Sequence, residues 1–108
     1  MNSISVHDLL LRIRKWATSS TAVSRVIIVG SQAAHVESDA PISGSDVDLV
    51  IYLRRDEAKV SVMQELADIS VSTRILLHPL LISEEDRHMK ESISQYRQMI
   101  ESGKQVYP

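Results

Sequence analysis

Residues 25–53 read RVIIVGSQAAHVESDAPISGSDVDLVIYL, and this stretch decides the fold. Val26, Ile27, Ile28 and Val29 form an unbroken β-branched run, the pattern of a strand covered on both faces. The run stops at Gly30, where the missing Cβ lets the backbone turn sharply and lets another group come close. Ser31 follows, and Gln32–His35 is expected to begin a short helix. A strand, a Gly-Ser turn and a helix start bring backbone N–H groups and a hydroxyl to where a phosphate fits. The same turn also serves as a plain connection in many α/β proteins.

The second half of the stretch, Asp46–Leu53, opens as a strict alternation. Side chains alternate across a strand, so Asp46 and Asp48 share one face and Val47 and Leu49 the other. Aspartate is a poor strand former, and two on one face repel. A cation between them removes that cost. Mg²⁺ suits such a pair, because it takes oxygen ligands and keeps waters and substrate phosphates in its shell. The alternative is an Asp46 that caps the loop and an Asp48 that sits in solvent.

Taken together, a strand ending in Gly30-Ser31, a loop, and a strand starting Ser45-Asp-Val-Asp-Leu49 resemble the signature of the DNA polymerase beta-like nucleotidyltransferase superfamily. The small size points to its minimal branch. The tail from Tyr96 to Tyr107 resembles that branch's closing helix. The resemblance implies an α/β (α+β) fold: a small mixed sheet of three or four strands flanked by helices. It also implies nucleotidyl transfer from an NTP, with Asp46 and Asp48 holding Mg²⁺ and Gly30 and Ser31 holding the phosphates. Gly44 and Ser45 join the nucleotide-binding set, at the end of a polar stretch, 36–45, suited to act as a lid. Three departures stand out. The loop of residues 32–45 is longer than usual for the branch. Ala34-His35 stand where a basic residue often follows the Gly-Ser. The superfamily's third carboxylate, on a later strand, is replaced at the matching position by His78. A neutral His78 can accept a proton but is a poor Mg²⁺ ligand, so the second metal site of a two-metal centre is in doubt.

Composition sets the frame. At 108 residues the chain predicts one domain, 1–108, burying about 65% of its unfolded surface. Hydrophobic content is 44%, with no Phe and one Trp, so the core is aliphatic. A net charge of −2 argues against a nucleic-acid coat protein. Cysteine is absent, which excludes disulfides and zinc–thiolate sites. No apolar run reaches the roughly 18 residues of a membrane span, and MNSISVHDLL lacks a signal-peptide layout. A cytoplasmic protein with no membrane association is expected.

The flanking elements follow from periodicity. Val6, Leu9, Leu10, Ile13 and Trp16 predict a helix over 6–17, with Ser5 and Asp8 as a capping box. Arg12, Arg14 and Lys15 read as a solvated face. Asp56 is expected to cap a second helix whose buried stripe is Ala58, Val62, Met63, Leu66 and Ile69. Arg54 and Arg55, ahead of it, read as surface charges or as help for a triphosphate. Val71–Ile82 predicts a third strand, with Pro79 requiring an edge or bulge. Ser83 is expected to cap a last helix, interrupted near Ser92–Ser94 and ended by Gly103.

Little chain is left over for an acceptor pocket, so a partner is expected: a second copy, or a HEPN-like protein. The minimal branch is similar to antitoxins of HEPN-domain toxins, some of which transfer AMP to a toxin tyrosine. Ser72, Arg74, Leu76 and His78 are expected to line the shared surface. The alternative to an enzyme is a non-catalytic binding module of the same fold, antitoxin-like, that sequesters such a partner.

Overall fold

The β-branched run becomes β1, Val23–Val29, an inner strand of a four-stranded mixed sheet. The computed structural model describes residues 5–35 and 46–108. The aspartate strand is β2, Asp46–Leu53. The other strands are β3, Leu76–Ser83, and β4, Lys104–Tyr107. Their order is β3-β2-β1-β4. β1 is antiparallel to both β2 and β4, whereas β2 and β3 are parallel. The parallel pair needs a crossover connection, and a helix, α2, Lys59–Thr73, supplies it. Pro79 lies on β3, an edge strand, as its missing N–H requires.

Alternation splits the core into two layers. Val26 and Ile28 of β1, with Val47, Leu49, Ile51 and Leu53 of β2, face one side. There they meet α2 and the first helix, α1, Val6–Ser19. Ser5 caps α1, its hydroxyl accepting the Asp8 N–H at 3.1 Å. Ile27, Val29, Val50, Tyr52 and Ile82 face the other side. That face is covered by α3, Arg87–Ser92, and α4, Ser94–Ser102, through Met99 and Ile100 of α4. The expected interruption between Ser92 and Ser94 is present.

Several expectations are corrected. Val71–Thr73 belong to α2, not β3. The hydroxyls of Ser72 and Thr73 both donate back to the Ile69 carbonyl, at 3.2 and 2.7 Å, which keeps the β-branched run helical. Arg74 then ends the helix in the left-handed conformation, φ 59°. The surface expected from Ser72, Arg74, Leu76 and His78 is therefore not one strand face; Ser72 accepts from Arg12 at 2.6 Å, and only Leu76 and His78 lie on β3. Asp56 does not cap α2. It lies in a 3-10 turn, Asp56–Ala58, and pairs with Lys59 at 2.8 Å. Met63 is exposed. Ser83 ends β3, and its hydroxyl donates to Asp86 Oδ2 at 3.1 Å across a turn, so α3 starts only at Arg87. Trp16 is half-buried at the core margin, its indole N–H donating to Glu65 Oε1 at 2.9 Å.

The tail is the largest correction. The closing helix stops at Ser102, and Lys104–Tyr107 adds a fourth strand beside β1. Gly103 permits this. A Cβ there would lie 2.6 Å from Ile27 Cγ2 and 2.8 Å from the Ile28 carbonyl oxygen, so any side chain would push β4 away from β1. Arg14 fastens the strand from α1, donating to the Val106 carbonyl at 2.9 Å. Arg25 donates to Gln105 at 2.7 Å.

Candidate functional site

The C-terminal end of β1 and the N-terminal ends of β2 and β3 meet at one end of the sheet. Register sets Asp48 opposite Val29 on β1 and opposite His78 on β3. Residues in register on neighbouring strands point to the same face. Val29 packs in the α4-side layer, so Asp46, Asp48 and His78 all project on that side. The expected same-face placement of the aspartates follows directly.

His78 Nδ1 lies 3.8 Å from Asp46 Oδ2 and 3.7 Å from Asp48 Oδ1. Both distances exceed a hydrogen bond. The three side chains are 40–51% exposed, so water screens the pairs and their attraction is small. Among the described residues, no group of three or more His, Asp or Glu forms a closed metal cage. The donor chemistry is uneven: two carboxylates suit Mg²⁺, and an imidazole does not.

Gly30 completes the floor. Its φ is +75°, and a Cβ placed there would lie 2.9 Å from Asp48 Oδ2. The positive φ favours glycine, and the half-exposed Asp48 carboxylate lies beside it. Ser31 follows in a 3-10 turn, Gly30–His35, which fulfils the expected short helix start. Gly44 and Ser45 lie outside the described residues. Arg54 and Arg55 sit beyond the far end of β2, roughly 20 Å from Asp48 at about 3.3 Å per strand residue, so they take no part. Arg55 instead pairs with Glu57 at 3.4 Å.

Asp48 and His78 open into a cavity of about 300 Å³ between the sheet and α4. Val29, Leu49, Pro79 and Leu80 line it from the sheet, and Tyr96 and Met99 from α4. Tyr96 and Met99 stand three apart in the sequence. Their spacing of three showed a shared face but not that the space beneath was open.

Deeper on this side, Tyr52 is buried and donates its hydroxyl to Glu91 Oε1 at 2.9 Å. Burial first, then the Glu91 bond and charge, push the phenol up to about 12. The guanidiniums of Arg25 and Arg87 lie 5.2 and 5.4 Å from its ring centroid and oppose the rise. This cluster pins α3 to the sheet.

No family model, curated protein or solved structure matches the chain. Among the described residues, no helix is long and apolar enough to cross a membrane.

Proposed function

We propose that this chain is a minimal nucleotidyltransferase of the DNA polymerase beta-like type. It would transfer an NMP from an NTP to a hydroxyl acceptor on a partner protein such as a HEPN-like toxin or on a second copy of the chain. The observation that carries this reading is the Asp46–Asp48 pair opening β2 beside the positive-φ turn at Gly30. Two carboxylates on one strand face call for a cation, and a bound cation would bring a phosphate with it. Asp46 and Asp48 would hold Mg²⁺, which when bound neutralises phosphate charge and polarises the α-phosphate. Gly30 adds no side chain of its own beside the Asp48 carboxylate, which would leave the turn's backbone open to a phosphate oxygen drawn in by a cation on Asp48. His78 faces the same space, and its imidazole would take the proton of the acceptor hydroxyl. The acceptor oxygen bonds to the α-phosphorus as the bond to the leaving pyrophosphate breaks. Such a reaction draws on cytoplasmic NTP and Mg²⁺.

Calorimetry with Mg²⁺ and a non-hydrolysable triphosphate is the test. Binding to the wild type that Asp48→Asn abolishes supports the reading; equal affinity in the two removes the metal role.

A second reading is favoured by His78 itself. An imidazole 3.7–3.8 Å from both carboxylates stands where a third carboxylate would complete a two-metal centre. The chain would then be a non-catalytic, antitoxin-like binding module. Labelled NTPs with Mg²⁺ or Mn²⁺ and a lysate separate the two: a labelled acceptor supports the enzyme. Nucleotide binding without transfer, converted to transfer by His78→Asp, supports the module.

A further inference from the structure

The cavity beside the carboxylates has a chemistry of its own. Its polar end is Asp48 and His78; the remainder is Val29, Leu49, Pro79, Leu80, Met99 and the Tyr96 ring. About 300 Å³ is ample for one planar heteroaromatic ring system and is at the small end for a ligand site. Tyr96 is half-buried, and Lys90 Nζ sits 5.3 Å from its ring centroid. That cation covers one part of the ring and holds it in place. The occupant must carry charge at one end and a flat apolar body at the other.

We infer that this cavity is the nucleobase pocket, and that Tyr96 and Met99 grip the base of the nucleotide whose phosphates meet Gly30 and Asp48. The inference rests on the metal–phosphate reading of Asp46 and Asp48. Base–aromatic contact gains with ring area and tolerates any base, because every base has a π face. Away from Asp48 and His78, the Tyr96 hydroxyl is the polar side-chain group on the lining. The pocket therefore selects by size rather than by a hydrogen-bond code, and purines bind more tightly than pyrimidines.

The experiment compares non-hydrolysable ATP, GTP, CTP and UTP analogues with inorganic tripolyphosphate, all with Mg²⁺, by calorimetry. Tyr96→Leu should weaken the purine analogues about tenfold and leave tripolyphosphate unchanged. Tyr96→Phe should keep wild-type affinity. Met99→Trp, which fills the cavity from the same helix, should block all four analogues and spare tripolyphosphate. Circular dichroism confirms that each variant is folded. If the wild type binds tripolyphosphate as tightly as the ATP analogue, or if Tyr96→Leu and Met99→Trp change nothing, the base pocket is wrong and the phosphate site stands. If the wild type binds neither tripolyphosphate nor any analogue, both readings fall.

Discussion

The two faces of the sheet are built to different standards. On the α1–α2 side, twenty buried side chains form one layer among the described residues, many at 0–2% exposure. On the α3–α4 side five do, and the layer gives way to a cavity at the carboxylate end. The same strands supply both faces, so strand composition is not the cause. The difference lies in the helices. α1 and α2 are 14 and 15 residues long and bury full apolar stripes. α3 and α4 are 6 and 9 residues long, and neither has a fully buried residue. One face therefore holds the fold, and the other is free to open.

Five substitutions break or sharpen that contrast. Ile13→Ala, at a fully buried position of α1, should cost about 2–5 kcal/mol in denaturant unfolding. Met99→Ala on the opposite face should cost under about 1 kcal/mol, because a half-buried side chain over a cavity loses little. Equal losses would mean that the two faces carry equal weight.

Gly30→Ala comes next. The left-handed backbone angle should cost about 1–2 kcal/mol, while the half-exposed Asp48 carboxylate can swing aside. Triphosphate affinity at a temperature where the variant is fully folded should fall further than that loss explains. Retained affinity would show that the turn does not cradle phosphate.

Tyr52 tests the closed part of the α3–α4 face. Its phenol is raised to about 12 from an ordinary 10.0, so the fold favours the neutral form. That contribution is fully present below pH 10 and is lost as pH rises through about 12. Unfolding followed from pH 9 to 12 should show this alkaline decline in the wild type, and Tyr52→Phe should flatten it.

The smallest expected stability change is at Asp48. Asp48→Asn removes one of two like charges on an exposed strand end. In chelator its stability should stay within about 0.5 kcal/mol of wild type or rise slightly, even as Mg²⁺-dependent triphosphate binding is lost. A large destabilisation in chelator would make Asp48 a structural residue.

Legibility in the sequence followed the same division. β1 and β2 were readable because a β-branched run and an Asp-x-Asp alternation leave few other conformations. α1 was readable because Ser5, Asp8 and a full apolar stripe agree. The carboxylate pair and Gly30 stood out for the same reason: each violates a local preference, which marks a candidate site. The other face was harder. Lys104–Tyr107 is too short to show alternation, and the only trace of β4 was a glycine that also suits a helix end. The break between α2 and β3 turns on Arg74, an ordinary residue in a left-handed conformation, while Val71 and Thr73 carry strand preferences. The cavity wall was hidden because periodicity tells which side of α4 faces inward, not whether anything fills the space below.

β4 also has a bearing on the order in which the sheet can form. β1 and β2 are near neighbours along the chain, and α2 carries β2 to β3 with little loop. The bonds that fasten β4 reach much further: Arg25 to Gln105 spans 80 residues, and Arg14 to Val106 spans 92. Loop-closure entropy rises with that separation, and contacts of high sequence separation are slow to form. β1, β2 and β3 can pair before β4 is in place, with β1 left as a temporary edge. Since α4 runs through Gly103 straight into β4, docking of this strand also fixes the C-terminal end of the helix that carries Tyr96 and Met99, so the cavity wall depends on the longest-range contacts in the sheet.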